Sequence, residues 1–162
     1  MTSDFFDLLE RMVKAGVDFV IVGGFAGVVH GCTYVTGDID ICCDFSAANL
    51  LRLQKALSGL HPVHRMTPNR QKLKLTKENY SQFKSLYLDT DIGQLDCLNF
   101  IDGLGDYKKV KRVSELVEVQ DLQLRVVGLE ALIKAKKAMN RPRDTEAILQ
   151  LEAIKKLKKR QK

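Results

Sequence analysis

Apolar and polar positions change period several times along the chain, and each change marks an element. Phe5, Leu8, Leu9 and Met12 recur at helical spacing and predict a first helix. Ser3 can N-cap it, Asp4 and Asp7 suit its first turn, and Gly16 can stop it. Residues 18–22 (DFVIV) read as a buried strand, Gly23-Gly24 as a turn, and 25–30 as a short helix. Residues 38–43 predict a second strand. Ser46 can cap a helix to about residue 58, with Leu50, Leu53 and Leu57 on its inner face. Residues 61–69 read as a loop. Beyond it, Leu73 and Leu75 alternate with Lys72 and Lys74, and 83–88 and 93–101 are strand candidates. Gly103-Leu104-Gly105-Asp106 is a turn, and 113–119 and 122–127 are two more extended pieces.

The remainder is helical. Residues 128–139 predict one helix, NRPRD at 140–144 breaks it, and Pro142 suits the first turn of the next. Ile148, Leu151, Ile154 and Leu157 form the expected inner stripe of that last helix. The order predicts an α/β (α+β) fold: a mixed sheet with helices on one side and a C-terminal helical hairpin. The 162 residues suit one domain, about 1–127 as the sheet core and 128–162 as helices packed on it.

Composition narrows this little. No apolar run is long enough to span a bilayer, and MTSDFFDLLERM lacks a basic leader region, so a cytoplasmic protein without membrane contact is expected. Cys32, Cys42, Cys43 and Cys97 show no CxxC pair or zinc spacing, and are expected as small buried apolar residues. Net charge is +6, much of it in the terminal IKKLKKRQK. Such charge attracts phosphate in any form, although a basic end is also what a helix C-terminus favours.

Candidate chemistry lies in 21–44. Asp38 and Asp40 share one face of a strand, with Cα atoms about 6.6 Å apart, while Ile39 and Ile41 face the other way. Aspartate is disfavoured in strands, so the pair needs either solvent or a cation. Gly23-Gly24, after a strand and before a helix, can present backbone N–H groups to phosphate or serve only as a turn. Neither a P-loop nor a GxGxxG pattern is present. Asp96, inside QLDCLNF, is a third strand carboxylate needing a partner; Asp89 and Asp91 compete with it from an expected turn. Three such carboxylates on neighbouring strands make a site for two magnesium ions.

Gly23-Gly24, then Asp38-Ile39-Asp40, then apolar-flanked Asp96 resembles the nucleotidyltransferase superfamily of the DNA polymerase β type. His30-Gly31, Thr36, Gly103 to Tyr107 and the ending LEALIKAKKAMNRPRDTEAILQLEAI resemble small bacterial members of the abortive-infection and toxin–antitoxin group (AbiEii-like). Tyr34 stands where related sequences often carry arginine. The resemblance implies a magnesium-dependent enzyme moving a nucleoside monophosphate from an NTP, ATP included, to a hydroxyl of RNA or tRNA, a protein or a small molecule. It implies two Mg2+ ions on Asp38, Asp40 and Asp96, one arriving with the NTP. Gly23, Gly24 and Thr36 fall on its nucleotide side, and a toxin with a cognate antitoxin is a further implication. A catalytically inactive nucleotide- or partner-binding module of the same fold is the alternative. A nucleic-acid-binding protein with incidental aspartates is a third reading.

Lys136 shares the apolar side of its helix with Leu129, Leu132 and Ile133, so it either snorkels to water or enters the cleft and neutralises triphosphate. Arg141, Arg143 and Asp144 are expected in a solvated turn. His30 is expected to be structural, orienting the Asp38 loop. His61 and His64 receive no role, and Arg65, Arg70, Lys72 and Lys74 are expected as a solvated basic face.

Overall fold

The structure, a computed structural model, describes residues 3–161. The side chain of Ser3, and hence the cap expected from it, lies outside the described residues. In chain order the elements are α1 (Ser3–Lys14), β1 (Phe19–Val22), α2 (Gly23–His30), β2 (Asp38–Cys43), α3 (Ala47–Ala56), β3 (Val63–His64), β4 (Ser85–Thr90) and β5 (Gly93–Leu98). They continue with β6 (Phe100–Ile101), β7 (Gly105–Asp106), α4 (Tyr107–Arg112), β8 (Ser114–Val119), β9 (Leu122–Val127), α5 (Leu129–Met139) and α6 (Thr145–Arg160). The architecture is mixed α/β. One seven-stranded sheet runs β3-β4-β5-β2-β1-β9-β8, and β6-β7 form a small separate hairpin.

The centre of the sheet sets the site. β1 pairs antiparallel with β2, and β2 pairs parallel with β5 in a register that sets Asp40 opposite Asp96. Ile39, Ile41, Leu95, Cys97, Leu86 and Leu88 alternate away from those aspartates and are fully buried or nearly so. Leu8, Leu9 and Met12 of α1 and Leu50 and Leu53 of α3 complete this core. Ser46 caps α3 as expected, its side chain accepting from Asn49 N–H at 3.3 Å. All four cysteines are buried and free.

Several expectations need correction. All four residues of β1 are buried, so the central sheet is covered on both faces rather than one, and α4 meets β1 and β2 there. α4 itself was not expected. Asp106 caps it by accepting from Lys109 N–H at 3.2 Å, but YKKVKR buries only Val110 and so carries no apolar period. Strand 93–101 ends at Leu98, and Phe100 begins the β6–β7 hairpin. The expected loop over 61–69 contains β3, whose two residues are too few to show alternation. Leu73 and Leu75 are buried in an irregular segment outside the sheet.

The C-terminal hairpin forms as expected, with Lys137–Glu152 and Lys155–Glu130 ion pairs bridging α5 and α6. Its inner stripe is shorter than expected. Leu151 is fully buried, but Leu157 is 56% exposed. Glu130, at the start of α5, already lies beside Lys155, so α6 overhangs its partner beyond that point.

Candidate active site

Asp38, Asp40 and Asp96 converge: each offers a carboxylate oxygen, and these lie within 4.8 Å of one another. The cause is local. DIDICC alternates both β2 aspartates to one face, and parallel pairing with β5 adds Asp96 beside Asp40. Among the described residues, no hydrogen bond or ion pair engages the carboxylate of Asp38 or of Asp40. Burial, then the neighbouring charges of Asp96 and Asp38, push the Asp40 carboxyl up to about 6, against the opposing pull of Lys136 and Arg141. A carboxylate short of positive charge, in an all-oxygen donor set, could hold a hard metal cation.

The triad lines a cleft of about 540 Å³. Gly23, Gly24 and Thr36 line its floor. α2 starts directly at Gly23, not after a separate turn, so its first backbone N–H groups open towards the aspartates. Gly23 has φ +68°, and a Cβ there would overlap the Asp40 carboxylate. Thr36 donates from Oγ1 to the Asp38 carbonyl at 3.1 Å, fixing the entry to β2.

Basic side chains line the same cleft. Lys136 does not snorkel: it is only 7% exposed, and its Nζ lies 3.6 Å from Asp144 Oδ1. Arg141 donates to the same carboxylate from Nε at 2.6 Å and Nη2 at 3.1 Å. The solvated turn expected at 141–144 is therefore corrected, because Asp144 is buried and lines the cleft with Arg141 and Arg143. Burial alone would raise the Asp144 carboxyl. The Arg141 hydrogen bonds and the Lys136 and Arg141 charges hold it below the usual carboxylate value.

Other assignments move. His30 is structural, but it anchors α2 to β9 through Nε2 and the Val127 carbonyl at 2.7 Å, not the Asp38 loop. Tyr34 turns away from the cleft. Its hydroxyl donates to the Gly24 carbonyl at 2.9 Å and fills the space that a Cβ on Gly27 would need. Asp89 lies in β4, not a turn, and pairs with Arg70; Asp91 pairs with His61; neither joins the triad.

Arg65 departs furthest from the solvated basic face expected for it. It is no solvated base: Nη1 donates to Asp96 Oδ1 at 2.7 Å and Nη2 to Oδ2 at 3.2 Å. Tyr87, opposite Asp96 in the β4–β5 register, lies beneath the guanidinium. No local pattern could show this, because the pairing depends on the strand order β3-β4-β5.

No protein-family model and no curated protein sequence matches the chain. Among the described residues, no helix is long and apolar enough to cross a membrane.

Proposed function

We propose that this protein is a magnesium-dependent nucleotidyltransferase, moving a nucleoside monophosphate from an NTP to a hydroxyl acceptor. One observation carries the reading: three converging carboxylates share a single cleft with a buried lysine and an arginine. Asp38, Asp40 and Asp96 would hold Mg2+, which supplies Lewis acidity and neutralises triphosphate charge. The N–H groups at the start of α2 donate to phosphate oxygens, and Gly23 lets them approach. Lys136 and Arg141 attract the β- and γ-phosphates, whose charge grows as pyrophosphate departs. Asp96, as part of that cation site, would favour loss of the acceptor hydroxyl's proton, which passes to solvent. The hydroxyl oxygen attacks the α-phosphorus, and the bond to the bridging oxygen breaks with its electron pair leaving on pyrophosphate.

The net charge of +6 favours an RNA acceptor over a neutral one. A toxin role with a cognate antitoxin, in the cytoplasm, follows from the family resemblance. A second reading, a nucleotide-binding module without turnover, draws on the Arg65 fork that engages both oxygens of Asp96. Incubation with each α-labelled NTP, Mg2+ and total RNA separates the two. Transfer that is lost in Asp38→Asn and Asp96→Asn supports the enzyme. Magnesium-dependent NTP binding with no label on RNA or on protein supports the inert module.

A further inference from the structure

The three aspartates are not equivalent. Asp38 and Asp40 face the cleft with no partner for either carboxylate among the described residues, whereas both oxygens of Asp96 accept from Arg65. That guanidinium is held in place. Nη1 also lies 3.4 Å from the Leu88 carbonyl, and the group sits 5.8 Å from the Tyr87 ring centroid. The pair is poorly hydrated, with side chains 21% and 14% exposed, so water screens it weakly. A cation bound to all three carboxylates would therefore sit near a fixed positive charge and share Asp96 with it.

We propose that Arg65 divides the triad in the nucleotide-free protein: Asp38 and Asp40 bind the first divalent cation, and Arg65 withholds Asp96 from it. This rests on the triad being a cation site. Arg65 is then a positioning residue, one that sets which carboxylates the first cation meets. Removing it does two things with the same sign. It takes away a repelling charge, and it frees a ligand.

Mn2+ titration of nucleotide-free protein, followed by calorimetry or by the electron-spin signal of free Mn2+, tests this. Arg65→Gln should tighten Mn2+ binding about tenfold, the scale of removing one unit charge a few ångströms from a divalent ion. The double variant Arg65→Gln with Asp96→Asn removes a neutral pair and should return to about the wild-type affinity. Arg65→Lys keeps the charge and loses the fork, and should tighten binding by less than Arg65→Gln. Loss of binding in Asp38→Asn, with no tightening in Arg65→Gln or Arg65→Lys, overturns the role of Arg65 and leaves the cation site standing. A double variant much weaker than wild type also overturns it, because Asp96 would then be a ligand despite the fork. Absence of Mn2+ binding in wild type and every variant overturns both the role and the site.

Discussion

Two aspartates, one in each charged part of the cleft, have the same kind of partner and opposite surroundings. Asp96 is forked by Arg65 at 2.7 and 3.2 Å, and Asp144 by Arg141 at 2.6 and 3.1 Å. Around Asp96 stand two further carboxylates, so the corner is short of positive charge. Around Asp144 stand Lys136 and Arg143, so that corner is short of negative charge. An arginine–aspartate pair thus neutralises one of several anions in one part and braces several cations in the other. What decides the chemistry of each part is the charge left over after pairing. On the proposed reading the first takes a metal ion and the second a phosphate chain, with Gly23 and Gly24 lining the same cleft.

The largest expected effect breaks the metal part. Asp38→Asn should lower nucleotidyl transfer on the order of a thousandfold or more, the scale of losing a group that stabilises a transferring phosphoryl. Steady-state kinetics with the variant's fold checked by circular dichroism measures it. The other part breaks by Asp144→Ala, which leaves Lys136 buried without its carboxylate. Denaturant unfolding should show a loss of about 3 kcal/mol, the lower range for an opened buried pair because Arg141 is partly exposed.

A smaller effect has opposite signs with and without metal. The Asp40 carboxyl is raised to about 6 in the folded protein, chiefly by burial and then by Asp96 and Asp38. A group raised on folding favours the native state below its unfolded value, and this contribution is lost as pH rises from about 4 to about 6. Metal-free Asp40→Asn should therefore be more stable than wild type at pH 7.5 by about 1–2 kcal/mol, after allowing for water in the cleft. At pH 4 the two should melt together. Added Mg2+ should raise the melting temperature of wild type and not of Asp40→Asn. The smallest effect falls outside the cleft. Tyr34→Phe should cost about 1 kcal/mol for the hydrogen bond to Gly24 and leave kcat/KM little changed, since the side chain packs on α2 outside the cleft.

Much of the central sheet and one part of the cleft were legible in the sequence. DIDICC carries its own alternation, and Ser46 announces the helix that follows. Asp96 stands out because a carboxylate inside an apolar strand needs a reason. Lys136 stands out because it breaks an apolar helical face. What stayed hidden depends on strand order and helix packing. Arg65 meets Asp96 only because β4 separates β3 from β5 in the sheet. Asp144 is buried only because the α5–α6 connection folds over the cleft. α4 buries Val110 and packs only Tyr107 beside it, and the overhang that exposes Leu157 follows from two helices of unequal length.

The division of the cleft into a cation part and a phosphate part is tested most directly by a crystal structure with Mn2+ and an NTP analogue that cannot be cleaved at the α-phosphate. Anomalous density should fall between the carboxylates of Asp38 and Asp40, with the triphosphate running from the Gly23-Gly24 amides towards Lys136. Metal density absent from those carboxylates, or a nucleotide bound outside this cleft, would contradict the account.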